Sequence, residues 1–254
     1  MTRAPHHSLA LVLAGLLLVL VSPMGAVAGQ TQVVVAANFA EPAKDIATAF
    51  AIATGHTATL SFGSSGQIYT QISHGAPYEI FLSADAERPA KAEKDGLAAP
   101  GSRFTYAVGR LVLFSKTPGL VDGRGEVLKT GKFEKLAIAD PAAAPYGAAA
   151  IQTLTRLGVY DAVKPKIVQG SSIAQAYQFV QTGAAELGFV ALSQVIKEPG
   201  GSRWLAPARD HAPIEQQALL LHTGDKNPAA AAFMTFLKSP AAVKIIKSYG
   251  YEVR

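Results

Sequence analysis

The chain contains no cysteine among its 254 residues. That excludes disulfide staples, thiol nucleophiles, cysteine-bound metal centres and a lipid-modified N-terminal cysteine, so stability must come from the core. An excess of charge of one sign is also lacking. Lys and Arg number 23 against 18 Asp and Glu, and only Arg3 lies in the first 28 residues, leaving 22 against 18 beyond them. The surplus is spread along the chain, without the basic stripe and interleaved aromatics of a nucleic-acid binder, and nucleic acid is not expected as a partner. The four histidines beyond the N-terminal segment, His56, His74, His211 and His222, have no metal-ligand spacing.

One apolar run stands out, from Leu9 to Val21. It is shorter than the ~20 residues that a bilayer-spanning helix needs. Arg3 precedes it, and Pro23 and Ala26-Val27-Ala28 follow it. This is the layout of a cleavable secretory signal over residues 1–28, with its Ala-x-Ala site near residue 28. With no cysteine to carry a lipid, the protein is expected free in the periplasm.

Beyond residue 30 the chain alternates strand-like and helix-like segments. Val33 to Ala37 is a continuous apolar, β-branched run, as in a strand buried on both faces of a parallel sheet. Glu41-Pro42 opens a helix, with an acid near its positive end. Further strands are expected at Thr57–Phe62, Tyr78–Ser83, Arg110–Ser115, Leu136–Ala139, Ile167–Val168, Leu187–Val190 and Glu215–His222. Helices are expected at Gln67–Ile72, Lys91–Asp95, from just after Tyr146-Gly147 to about Leu157, and at Ile173–Gln181, Ala229–Lys238 and Val243–Ser248. The alternation predicts an α/β fold. Two successive sets without a linker suggest two lobes joined by two crossing strands. The division is 30–111 plus 215–254 for lobe I and 112–214 for lobe II, with one doubly wound domain as the alternative.

Asn38, Ser64-Ser65, Tyr146 and Ser171-Ser172-Ile173 fall at strand-to-helix turns. Ligands of α/β sheets bind at such turns, where helix N-termini present unpaired N–H groups and a positive dipole. The donors on offer are neutral: two from the Asn38 amide, one hydroxyl each from Ser65 and Tyr146, and the Ile173 backbone N–H. No carboxylate stands at these turns to accept a proton from the ligand, which favours a fully ionised oxyanion. Each residue alone could as well be a helix cap. It is convergence from both lobes that would make a site.

A serine hydrolase is the rival class. Gly63-Ser64-Ser65-Gly66 is one residue short of a nucleophile elbow, and Lys129-Thr130-Gly131 lacks the other elements of penicillin-recognising enzymes. Asp85, Glu87 and Asp140 read as strand-end and helix-start residues. The protein is not expected to be an enzyme.

The segments carrying these turns resemble the periplasmic molybdate-binding proteins of ABC importers. They are Val34 to Phe39 with Asp45-Ile46, Phe62 to Ser65, Gly75 to Asp85, Ile138 to Pro141 with Pro145-Tyr146-Gly147, Leu187 to Val190, and Tyr249-Gly250-Tyr251. The similarity runs in order through essentially the whole chain after the signal. It implies a type II periplasmic-binding-protein fold whose lobes close over molybdate or tungstate. The carrier is a monomer without a cofactor and passes the ion to a membrane permease driven by a cytoplasmic ATPase. By position, Asn38 and Ser65 fall on binding serines of the family, and Tyr146 and Ile173 fall where members use backbone N–H groups. Ala191 stands where many have a binding Tyr. The hydroxyl lost at Ala191 and gained at Tyr146 resembles a subgroup carrying Asn and Tyr. These four residues would reach the metal only through oxyanion oxygens. Sulfate, thiosulfate and phosphate are the alternative ligands.

Overall fold

Ten strands form two five-stranded sheets in the computed structural model, which describes Met1, Thr2 and residues 28–253. The expected export signal therefore lies, but for its two ends, outside the described residues. The strands are β1 (Gln30–Ala36), β2 (Thr57–Gly63), β3 (Ile80–Leu82), β4 (Phe104–Gly109), β5 (Leu111–Ser115), β6 (Leu136–Ala139), β7 (Ile167–Gly170), β8 (Leu187–Ala191), β9 (Ser202–Leu205) and β10 (Ile214–Leu220). Helices α1 (Ala40–Thr54), α2 (Ser65–Ser73) and α3 (Glu87–Lys94) follow β1, β2 and β3. In the middle of the chain lie α4 (Val127–Thr130), α5 (Pro145–Arg156), α6 (Tyr160–Val163), α7 (Ile173–Gln181) and α8 (Leu192–Val195). The helices α9 (Pro228–Phe236) and α10 (Pro240–Ser248) end the chain.

The first sheet has the order β2-β1-β3-β10-β4 and the second β7-β6-β8-β5-β9. Each has three mutually parallel strands, then one strand antiparallel to both its neighbours: β10 in the first sheet, β5 in the second. The sheets are thus mixed, where the buried apolar runs alone read as parallel. The reversed strands are those by which the chain enters each sheet after crossing. One crossing is Arg110, the single residue between β4 and β5, and the other spans residues 206–213 between β9 and β10. Leu111 pairs in the second sheet and Ile214 in the first, each one residue from the expected division.

Strand periodicity places the core. Val33 and Val35 of β1 face α1, packing with Ile46, Phe50 and Phe233, whereas Val34 faces the other side with Ile68 and Phe81. Phe50 and Phe233 meet edge to face at 5.2 Å, each fully buried. Burying one such ring stabilises the fold by about 1.5–3 kcal/mol. The helices are bounded by residues suited to the task. Gly55 ends α1 at φ 75°, a left-handed conformation that costs glycine nothing, and Asn227 and Ser239 cap α9 and α10 ahead of Pro228 and Pro240. The second sheet has its own core, in which Leu113, Ile138, Leu154 and Phe189 are fully buried.

Candidate functional site

Four strand ends from the two sheets point at one another. Asn38 lies in the short 3-10 turn Ala37–Phe39 ahead of α1, Ser65 is the first residue of α2, Tyr146 the second of α5 and Ile173 the first of α7. All four line a single small cavity of about 10 Å³. That is the space of about one water-sized sphere. Its remaining walls are alanines, Gly63, Ser64 and Pro145, so no charged side chain lines it. The first turn of a helix leaves N–H groups without an intrahelical acceptor, and its dipole places partial positive charge there. Convergence of such turns in an uncharged cavity makes a receptor for a small anion.

The side chains divide into those facing the cavity and those behind it. Ser65 Oγ accepts the Ala84 N–H at 2.9 Å, which leaves its own proton to donate. The N–H of Gly66 is spent on the Ala143 carbonyl and that of Gly147 on Ala144, so neither neighbour competes with Ser65 or Tyr146. Ile173 opens α7 behind the cap Ser172, whose hydroxyl accepts the Gln175 N–H.

Asn38 differs from expectation. Its Nδ2 donates to Gln216 Oε1 and to Tyr251 Oη, both at 2.9 Å, so both amide hydrogens are consumed inside the protein. The amide was expected to supply two donors to a ligand; what Asn38 retains for the cavity is its backbone N–H. Its carbonyl accepts from Ser193 Oγ at 2.7 Å and Tyr251 Oη at 2.8 Å. Tyr146 differs in the same way. Its Oη accepts from Gln216 Nε2 at 3.2 Å and is hydrogen-bonded with Tyr251, with 1 % of the residue exposed. The phenol expected as a new ligand hydroxyl is thus held in a buried network. The reason lies far along the chain: β10 and the C-terminal segment bring partners to it, and Gly109 gives it room. A Cβ on Gly109 would fall on the Tyr146 hydroxyl.

Gln216 is the hub of that network. It is fully buried beside a register shift between Gln216 and Gln217, a bulge of the kind that re-aims a side chain. Its Oε1 also accepts from Tyr106 Oη at 3.0 Å. Burial pushes the Tyr106 and Tyr146 phenols well above the usual tyrosine range, and pushes Tyr251 up to about 12. All three stay protonated at neutral pH. Gln216, Tyr106 and Ser193 escaped the sequence reading. Their only signal is polarity inside segments otherwise buried, such as Ile214 to Leu220.

The histidines and the acids read as hydrolase candidates lie outside the cavity. His56 accepts from the Gly29 N–H, His222 pairs with Asp225, and among the described residues no group of His, Asp and Glu could hold a metal ion. Asp85 accepts the Arg88 N–H at 2.9 Å and pairs with its guanidinium. A wider cleft of about 610 Å³ adjoins the cavity, sharing Ala84 and Pro145. Its lining carries Asp85, Glu87 and Glu215 together with Arg88, which is paired with Asp85.

A family model described as bacterial extracellular solute-binding protein matches residues 31–252. The molybdate-binding protein ModA of Rhodobacter capsulatus is 56% identical over 236 residues, 93% of this chain and 93% of its own. The solved periplasmic molybdate-binding protein of Azotobacter vinelandii superposes with a TM-score of 0.86 at 45% identity, over 88% of this chain and 99% of its own. With the matched model covering both sheets and all four turns, the chain belongs to the bacterial extracellular solute-binding proteins.

Proposed function

We propose that this protein is the periplasmic binding component of an ABC importer and captures molybdate, with tungstate as a second ligand. One observation carries the reading: four helix-opening turns, two from each sheet, meet around one small, uncharged cavity. Asn38, Ser65, Tyr146 and Ile173 hold the oxyanion, Ser65 with its hydroxyl and all four with backbone N–H groups. A dianion there is stabilised without an adjacent counter-charge, and with no carboxylate to accept a proton, hydrogen phosphate is disfavoured. The similarity to proteins named for molybdate binding supports the same ligand. In this reading a signal cleaved near residue 28 exports a monomer, the two lobes close over the ion, and a membrane permease with a cytoplasmic ATPase receives it.

Thermal unfolding of the purified protein with molybdate, tungstate, sulfate and phosphate, each added separately, tests this. A ligand at about 1,000 times its dissociation constant adds roughly 4 kcal/mol to stability. A rise in Tm with molybdate and tungstate alone is the expected result. An equal rise with sulfate or phosphate would make the cavity a general oxyanion site, and no rise with any of the four ions would defeat the proposal.

A further inference from the structure

A buried hydroxyl without a partner is uncommon, because its lost hydration goes uncompensated. Among the described residues, three buried side-chain polar atoms lack one: Thr31 Oγ1, Ser64 Oγ and Gln181 Nε2. Thr31 lies near the start of β1 and Gln181 ends α7; Ser64 alone lines the oxyanion cavity.

Ser64 also stands where a serine normally finds a partner. It is the N-cap of α2, with extended backbone at φ −78° and ψ 149°, and Gln67 follows three residues on, the sequence of a capping box. The Ser64 N–H donates to Gln67 Oε1 over 3.5 Å. The Ser64 hydroxyl is placed toward the Gln67 backbone as the other side of the box, yet it closes no hydrogen bond there and has no other partner. The other serine and asparagine N-caps among the described residues behave differently. Ser172 accepts the Gln175 N–H at 3.3 Å, Ser239 the Ala242 N–H at 3.3 Å, and Asn227 the Ala229 N–H at 2.9 Å. Only the N-cap serine that faces the cavity is unspent, at 3 % exposure.

We propose that Ser64 is a further ligand-binding residue, whose hydroxyl donates to an oxyanion oxygen beside the Ser65 hydroxyl at the start of α2. It supplies the second side-chain hydroxyl that the sequence seemed to place at Tyr146, where the phenol is engaged with Gln216 and Tyr251. The inference rests on the oxyanion reading of this cavity.

Isothermal titration of the wild-type protein, Ser64→Ala and Ser64→Gly with sodium molybdate tests it, alongside urea unfolding of the ligand-free proteins. Loss of one hydrogen bond to a charged oxygen raises the dissociation constant about 10- to 100-fold in both variants. The ligand-free unfolding midpoint of Ser64→Ala stays level or rises, because the unpartnered hydroxyl is gone. Wild-type affinity in both variants would overturn the proposal. So would a lowered midpoint with affinity kept, which would make Ser64 a cap, or a loss of affinity in Ser64→Ala that Ser64→Gly does not share, which would be a packing effect. If the wild-type protein itself fails to bind molybdate, the oxyanion reading falls and the role of Ser64 with it; wild-type binding with unaltered variants removes Ser64 alone.

Discussion

Among single residues, Gln216 does most to decide how the cavity is furnished. By holding Asn38 Nδ2 and Tyr106 Oη on its oxygen and Tyr146 Oη on its nitrogen, it keeps three polar groups satisfied out of water. Gln216→Leu would take one partner from each, leaving Asn38 Nδ2 and Tyr146 Oη on Tyr251 and Tyr106 Oη on the Ser83 carbonyl. At ~0.5–1.5 kcal/mol for each of the three lost hydrogen bonds, urea unfolding should show a loss of at least about 1.5 kcal/mol, and an unchanged midpoint would mean that the network relaxes around the gap. The tyrosines add a pH dependence of defined sign. A phenol whose folded pKa lies above its unfolded value stabilises the fold fully below the unfolded value of about 10, and the stability drains away as pH rises through the folded one. With Tyr251 at about 12, unfolding free energy should be level from pH 7 to 9 and then fall by about 1.4 kcal/mol per pH unit for each such tyrosine. Stability unchanged up to pH 12 would contradict that burial. None of this was legible beforehand. Asn38, Ser65, Tyr146 and Ile173 could be found because helix-opening turns are local signals. Which way the Asn38 amide or the Tyr146 phenol points depends on Gln216, Tyr251 and Gly109, which are distant in sequence.

Among elements, the start of α2 is one of those that meet the opposite lobe. Gly66 donates its N–H to the Ala143 carbonyl at 2.9 Å, and a Cβ there would lie 3.0 Å from Ala143 Cα, 3.1 Å from that carbonyl oxygen and 3.2 Å from Arg88 Nη2. A side chain at Gly66 therefore obstructs contact between α2 and the turn before α5 while leaving each lobe's core untouched. Gly66→Val should weaken oxyanion binding about 10-fold or more, the effect of losing roughly 1.4 kcal/mol in the closed form, with ligand-free stability nearly unchanged. Equal affinity by titration would show that the two elements need not touch. Most elements were visible as apolar runs with turn residues between them, but β4, β9 and the short helices α4, α6 and α8 were not. In β4 the apolar signal merges with β5 across Arg110, and β9 is four residues long and begins Ser202-Arg203. The bulge at Gln216 leaves no mark in the sequence at all, because adjacent glutamines suit an edge or a loop equally well.

At the scale of the whole molecule, the two lobes are drawn together on several sides of the cavity. Ser193 and Tyr251 meet at the Asn38 carbonyl, Gln216 reaches Tyr146, and the C-terminal segment lies against α8, where Gly250 adopts φ 80° beside Leu192 and Ile196. Arg88 adds a contact outside the cavity, with one guanidinium nitrogen on Asp85 and the other donating to the Ala142 carbonyl at 2.8 Å. Contacts made only in the closed arrangement set the balance between open and closed forms, and apparent affinity scales with the fraction of binding-competent molecules. Arg88→Ala removes such a contact without altering any cavity-lining residue. Because the guanidinium is partly exposed, solvent screening reduces its contribution to about 1 kcal/mol, or roughly a fivefold shift toward the open form. Small-angle scattering should then give the ligand-free variant a larger radius of gyration than the wild-type protein. Saturating molybdate should bring both to the same value at a correspondingly higher ligand concentration for Arg88→Ala. Identical scattering and identical affinity would place the closing force entirely within the network behind the cavity, with Arg88 serving only α3 and its Asp85 partner.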